Sequence, residues 1–417
     1  MKFKLTRNEK NWILYDVGNS AFTLLIATIL PIYFNYLTES AGITSEYYMA
    51  YWGYAASITT LIVAISGPIL GTMTDTKGFK KPIFIASIAI GALGCLSLGF
   101  FKHWLVFLIV FVIAKAGYSA SLIFYDSMLN DITDEDRMDQ VSSQGYAWGY
   151  IGSCIPFVIC LALVLGSGSI GLSMEMAMGI SFFIIAAWWI GMSLPLLKTY
   201  RQRFYVEQMP KHAVSASFKR LGNTLISIQK QKHIFLFLLA FFFYIDGVYT
   251  IIDMATSYGT ALGLDTTGLL LALLVTQIVA FPFAILFGRL AHKTSTTKLI
   301  TVCICAYFGI AVYAYFLSTQ FQFWVLAVCV GMFQGGIQAL SRSYFTKIIP
   351  AECSGEYFGL YDICGKGAAF MGTFLVSAAS QISGDLNTGV GTISVLFVIG
   401  LILFRWSVSL NEKQQKN

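Results

Sequence analysis

Apolar runs of roughly 20 residues, each long enough to cross a lipid bilayer as a helix, recur along the entire chain. They fall near 12–37, 50–72, 82–101, 105–128, 142–165, 175–197, 234–260, 267–290, 298–318, 322–348, 356–382 and 390–410. The runs are continuous rather than alternating at every second residue, so they read as helices and not as barrel strands. Only 12% of the 417 residues are charged, against 57% hydrophobic, where a soluble domain carries about 25% charged residues. A water-soluble core cannot absorb that much apolar surface, and a bilayer can. The predicted fold class is an all-α membrane protein with twelve transmembrane helices. Lys2, Lys4, Arg7 and Lys10 precede the first run as basic residues precede a signal peptide. That run is too long for one, contains Asp16 and ends without a small-x-small site, so it reads as a retained helix.

Lysine and arginine set the expected orientation. With both termini cytoplasmic, the inner side holds the four N-terminal basic residues, Lys77, Lys80, Lys81, Arg137, the basic cluster between Lys198 and Lys232, Lys293 and Lys298; the outer side holds Lys102. The net charge of +6 comes from these loops and implies no nucleic-acid partner. A bacterial-type plasma membrane is the expected location, with the lipid bilayer as partner and a monomer as the expected state. One loop is acidic: Asp131, Asp134, Glu135, Asp136 and Asp139 surround Arg137. It reads as a solvated loop in which Thr133 or Asp134 caps a short helix. The eight cysteines show no CxxC or zinc spacing, so neither disulfide nor metal is expected.

The longest polar stretch, 198–232, divides the runs six and six. The expected organisation is a six-helix bundle over 1–197, a linker over 198–232 and a second six-helix bundle over 233–417. Within the linker Phe218, Leu221, Leu225 and Ile228 share one helical face among basic residues, as in a helix lying on a membrane surface.

Charges inside the runs point towards function. A charge at the bilayer centre costs at least about 2.5 kcal/mol, so such residues usually face a polar interior and mark solute or ion routes. Asp16, Asn19 and Thr23 share a face of span 1; Lys115, Ser119 and Asp126 align in span 4 beside Tyr118 and Tyr125. Asp246, Thr250 and Asp253 share a face of span 7, and Gln334, Gln338 and Arg342 stand at i, i+4, i+8 in span 10. Asp362 and Lys366 lie four apart in span 11. Lys115, Asp246, Gln334 and Lys366 lie about halfway along their spans, as if converging on one site. Structural readings stand beside these. Asp362 before Lys366 is the favourable order for an intrahelical pair, Asp16 suits a cap of the first helix, and Arg342 suits snorkelling. The glutamine stripe suits interhelical packing, as Tyr146, Trp148 and Tyr150 suit packing in span 5. Pro31, Pro68, Pro156 and Pro282 are expected to kink their spans.

Parallel six-helix repeats joined by a basic linker are the plan of the major facilitator superfamily, whose substrates bind near the midplane between the halves. The segment 71–81 resembles that superfamily's signature loop, G-x-x-x-D-R-x-G-R-R. Gly71, Asp75, Gly78 and the pair Lys80-Lys81 match, and Thr76 and Phe79 replace two arginines. Gly71 lets two helices approach and Asp75 suits a cap on the neighbouring helix, so the loop reads as a gate. In that fold helices 1, 4, 7 and 10 line the cavity, which is where most of the buried charges stand.

More specific runs follow. Asn11-Trp12-Ile13-Leu14-Tyr15-Asp16, Phe124-Tyr125-Asp126-Ser127, Tyr244-Ile245-Asp246-Gly247, Gln334-Gly335-Gly336-Ile337-Gln338-Ala339-Leu340-Ser341-Arg342-Ser343 and Gly365-Lys366 resemble the vacuole-effluxer-like branch of the superfamily. That branch includes the autophagy-related fungal effluxers and a bacterial group called the unknown major facilitator family. The chain departs from the pattern at Val17-Gly18, where Trp-Ala is usual, at Asp126, where asparagine is common, and at Lys115, where a neutral residue is usual. The resemblance implies amino-acid efflux. A zwitterion needs an acceptor for its ammonium, for which Asp246 or Asp16 are candidates, and a donor for its carboxylate, for which Lys366, Arg342 or Lys115 are candidates. Tyr125, Trp148 and Tyr361 are candidates to surround its side chain. Sugars, peptides and organic ions use the same toolkit.

No GxxxxGK[ST] loop is present, so no ATP site is encoded, and no cofactor is expected. The reading is a secondary transporter working by alternating access, with a proton as candidate coupling ion. Asp16, Asp253, Asp126, Asp362 and Arg342 are the candidates for coupling or gating. An enzyme is disfavoured, since neither a His/Asp metal cluster nor a GxSxG setting is visible. A non-transporting sensor has only the short linker as docking surface.

Overall fold

The computed structural model describes residues 3–207 and 231–416. Among the described residues twelve helices are long and apolar enough to cross a membrane: Arg7–Ser40, Ala50–Thr74, Lys80–Phe100, Trp104–Ser127, Glu135–Leu165, Met174–Thr199, Lys232–Ala255, Gly268–Ala291, Thr296–Tyr315, Gln320–Ile348, Ala351–Ser383 and Asn387–Gln414. They are numbered here as spans 1 to 12. The interfacial helix expected around Phe218, Leu221, Leu225 and Ile228 lies outside the described residues.

Span 1 begins earlier than its apolar run because Thr6 and Glu9 form a capping box. The Glu9 amide donates to Thr6 Oγ1 at 3.3 Å and the Thr6 amide donates to Glu9 Oε2 at 2.6 Å. Asp16, one candidate for that cap, lies well inside the helix. The span then breaks: one helix runs Arg7–Ala27 and the next Ile29–Ser40. Pro31 accounts for the break, because its ring would clash with the carbonyl four residues earlier, that of Ala27.

The packing pattern repeats between halves. Span 1 packs on spans 5 and 6 as span 7 packs on spans 11 and 12; span 3 packs on span 4 as span 9 packs on span 10. The halves meet through spans 2 and 11 and through spans 5 and 8. Twelve crossings bring residues 7 and 414 to one side, called here the terminal side.

The loop between spans 4 and 5 departs from the sequence reading. Thr133 does not cap; its hydroxyl donates to Glu9 Oε1 at 2.7 Å, and Asp134 makes no capping bond. Arg137 completes the knot, donating from Nε and Nη2 to Glu9, each at 2.8 Å. Asp131 and Asp139 are buried rather than solvated. Asp131 anchors the first residues of the linker, accepting from the amides of Arg203 and Phe204 at 2.8 and 3.0 Å. It also accepts from the Tyr200 hydroxyl. Burial and this carboxylate hold that phenol well above its ordinary range, so it remains a donor. Val206 pairs in parallel with Thr76, its amide donating to the Asp75 carbonyl at 2.8 Å. The linker therefore starts sewn to the gate loop of the first half.

Candidate functional site

Hydrogen bonds joining the halves cluster towards the terminal side and form a seal in two parts. The first part is built on spans 2 and 11. Gly71 lies against the backbone of Gly355, and Asp75 accepts from the Gly355 and Glu356 amides at 2.7 and 3.1 Å. A carboxylate on a helix N-terminus satisfies orphan donors and opposes the helix dipole, so Asp75 caps the neighbouring helix across the interface. Fully buried Lys80 supports it, donating to Ser354 Oγ at 3.0 Å and to Asp131 at 3.5 Å.

The second part, built on spans 5, 9 and 10, is centred on Asp139. It accepts from Lys347 Nζ at 2.6 Å, Ser343 Oγ at 2.6 Å and Thr296 Oγ1 at 2.7 Å, all from the second half. The pseudo-symmetric arrangement is thus inverted. The acid comes from the gate loop in one part and from the receiving helix in the other. Asp139→Asn removes the charge that holds Lys347. Hydrogen bonds to charged groups contribute about 1.5–3 kcal/mol, so the seal is expected to open roughly ten- to a hundredfold more often. Thr346, buried in the seal, reports it. In a background lacking the native cysteines, Thr346→Cys should react faster with an impermeant maleimide when Asp139 is also replaced; an unchanged rate would show that Asp139 does not hold the seal.

Beyond the seal lies a cavity of about 370 Å³ between the halves, within the range of about 300–1,000 Å³ of small-molecule sites. Arg342 forms its floor. It is 2% exposed, and although it belongs to span 10 its partners are all in the first half. Nη1 donates to Asp126 Oδ1 at 2.8 Å and lies 3.9 Å from Asp16 Oδ2; Nε and Nη2 donate to the Ser142 hydroxyl and carbonyl at 2.9 and 3.0 Å. The guanidinium also faces the rings of Trp12, Tyr125 and Tyr146 at 4.7, 5.5 and 4.3 Å. Arg342 does not snorkel: acid, hydroxyl and aromatic faces replace its water.

Asn19, Asp16, Tyr125, Asp126, Asp253, Gln334, Gln338, Arg342, Tyr361, Asp362 and Lys366 all line this cavity. Lys366 donates to Asp362 at 2.7 Å, so the intrahelical pair forms and also faces the cavity. Tyr361 stacks on Phe241 with centroids 4.0 Å apart, and Gln338 accepts from the Tyr150 hydroxyl at 3.1 Å. Asp16 Oδ2, Tyr125 Oη and Gln334 Oε1 are buried and make no hydrogen bond. The wall therefore carries unsatisfied polar atoms beside paired charges of both signs, which suits a polar solute.

Three candidates are not on this wall. Asp246 is fully buried against span 11, accepting from the Gly372 amide at 2.9 Å and the Thr250 hydroxyl at 3.3 Å. That face of span 7 packs on a helix, and Ile245, Tyr249 and Ile252 face the cavity instead. Lys115 is half-buried over the Phe111 ring, within electrostatic reach of Asp253 and Lys366. Trp148 points outward, its ring edge-on to Phe281 and its Nε1 donating to Gln144. Tyr146 and Tyr150, two residues to either side, line the cavity. At 3.6 residues per turn, two positions are about 200° apart, so this reversal follows directly. Tyr118, Tyr146, Tyr150 and Tyr249 supply most of the aromatic wall. The i, i+4 spacing of Tyr146 and Tyr150 was the signal available for two of them.

The sequence model of the family described as vacuole effluxer Atg22 like matches residues 44–417. The chain belongs to this family. A relative, the uncharacterized MFS-type transporter YxiO of Bacillus subtilis (strain 168), is 42% identical over 425 residues, covering 100% of this chain and 99% of its own. The autophagy-related protein 22 of Coccidioides immitis (strain RS) is 22% identical over 427 residues, covering 83% of this chain and 70% of its own. Solved structures share the fold. The major facilitator transporter FucP in its outward conformation aligns with TM-score 0.73 at 16% identity, over 96% of this chain and 97% of that one. The human organic anion transporter MFSD10 (TETRAN) aligns with TM-score 0.72 at 12% identity, over 96% and 100%. This Atg22-like chain is a major facilitator-type transporter and an integral multi-pass membrane protein.

Proposed function

We propose that this transporter exports an amino acid by alternating access, with a proton as coupling ion. The observation that carries the reading is the cavity's charge arrangement. Arg342 and Lys366 face Asp16, Asp126, Asp253 and Asp362 across a tyrosine-rich wall of small-molecule size. A zwitterion would exchange into these pairs, its carboxylate on Lys366 and its ammonium on Asp16, with Tyr118, Tyr146 and Tyr361 around its side chain. Asp126 and Asp16 share a single arginine, so a proton on either carboxylate would loosen Arg342 and couple the seal to the gradient. The family's description as effluxers supports the direction. The lysine and arginine bias supports a plasma-membrane protein with the terminal side cytoplasmic. The fold alone does not select a substrate, since its solved members include a fucose:proton symporter and an organic anion transporter.

The test is counterflow in proteoliposomes preloaded with unlabelled mixed amino acids, following trace labelled leucine, tyrosine, lysine and glutamate. One label should accumulate, and Lys366→Ala should abolish it. Asp126→Asn should retain counterflow and lose its response to an imposed pH gradient. Asp246→Asn should retain both, since an asparagine oxygen still accepts from the Gly372 amide. Absence of accumulation by folded protein would reject amino acids in favour of sugars, peptides or organic ions.

A further inference from the structure

We propose that a second cavity, between spans 5 and 8 at the terminal side, binds the phosphate of an anionic phospholipid. The cavity, about 510 Å³, shares no lining residue with the central one. Gln140 and Gln144 of span 5 form one wall; Gly288, Arg289, His292 and Lys293 at the end of span 8 form the other. Among the described residues no carboxylate lines it. Asp139, adjacent to Gln140, is taken by Lys347, Ser343 and Thr296. Two permanent cations thus face amide side chains with no anion between them. Arginine presents a donor fork suited to phosphate oxygens, and basic pockets between transmembrane helices at this side are suited to lipid head groups.

The surroundings favour a lipid over a soluble phosphate. Gln144 accepts from Trp148 Nε1 at 3.0 Å, and Trp148 is exposed on the outer surface against Phe281. Leu286 and Leu290 are exposed on span 8 beside Arg289. The cationic cavity therefore stands at the end of an apolar, tryptophan-marked strip along which acyl chains can lie, and a soluble anion would gain nothing from that strip. The walls come from different halves. At the junction a Cβ on Gly288 would fall 2.6 Å from the Ser143 Cβ, so the spans touch there with the seal closed. A head group held by both walls favours the closed seal, because a ligand stabilises the state it binds better.

The test uses the full chain in vesicles and the fluorescence of Trp148, taken as the difference between wild type and Trp148→Phe. Brominated phosphatidylglycerol should quench at a mole fraction roughly tenfold lower than brominated phosphatidylcholine. Arg289→Gln with Lys293→Gln should remove that preference. Both side chains are exposed and outside the central cavity, and retained helicity by circular dichroism controls for folding. Equal quenching by the two lipids in wild type would overturn the proposal. Displacement of brominated phosphatidylglycerol by millimolar glycerol phosphate would also overturn it, reassigning the cavity to a soluble phosphoanion.

Discussion

Replacing Arg342 by glutamine is expected to open the seal and move the resting population to the opposite state. In the closed state its guanidinium meets Asp126, Asp16 and both Ser142 acceptors at once. Removing one partner of a buried charge pair costs about 3–5 kcal/mol, which corresponds to roughly a hundred- to five-thousandfold in a two-state equilibrium. The loss falls on the closed state, because separated halves let water reach both carboxylates. Spin labels at Glu135 and Lys298, exposed on opposite halves at the terminal side, should show a longer distance distribution in the variant. An unchanged distribution would mean that the residue serves substrate binding alone. Arg342→Lys should fall between, since a point charge cannot serve Asp126 and Ser142 together.

The fold was legible because span length and apolarity are local properties, and the bilayer punishes every exception. The break below Pro31 is local too. The cavity wall was legible in part for a related reason. A polar residue at mid-depth must face something other than lipid, and Gln334 and Lys366 line the cavity. What it faces depends on azimuth, which a helix shared between a cavity and a packed neighbour does not reveal. Asp246 therefore turned to span 11, and Trp148 turned outward while Tyr146 and Tyr150 turned in. The seal was least legible. Asp131 and Asp139 sit in an acidic loop that reads as solvated, and the partners that bury them stand far away in sequence: Lys80 and Tyr200 for one, Thr296, Ser343 and Lys347 for the other. No local pattern records a contact across the interface between halves. Gly71 and Asp75 were the exception, because their resemblance to a signature loop carried that information.

Gly359→Val tests the same seal by shape rather than charge and should have the more complete effect. Spans 2 and 11 touch backbone to backbone. A Cβ at position 359 would lie 2.7 Å from the Pro68 Cα and 2.8 Å from its nitrogen. Neither atom belongs to a side chain that can rotate away. Valine adds two further methyl groups, so the contact cannot re-form without separating the spans, which also withdraws the Gly355 and Glu356 amides from Asp75. The variant should fold, since the strain exists only when the halves are closed here. It should reside in the state open to the terminal side, and counterflow should fall to background because the cycle cannot pass through the closed seal. Gly359→Ala should be intermediate. Added substrate separates the two mechanisms. An electrostatic defect at Arg342 is a shifted equilibrium that differential binding can partly reverse, whereas a steric block at Gly359 leaves no closed state to bind. If Gly359→Val retains counterflow, or its label distances match wild type, spans 2 and 11 do not form the tight seal that the structure draws.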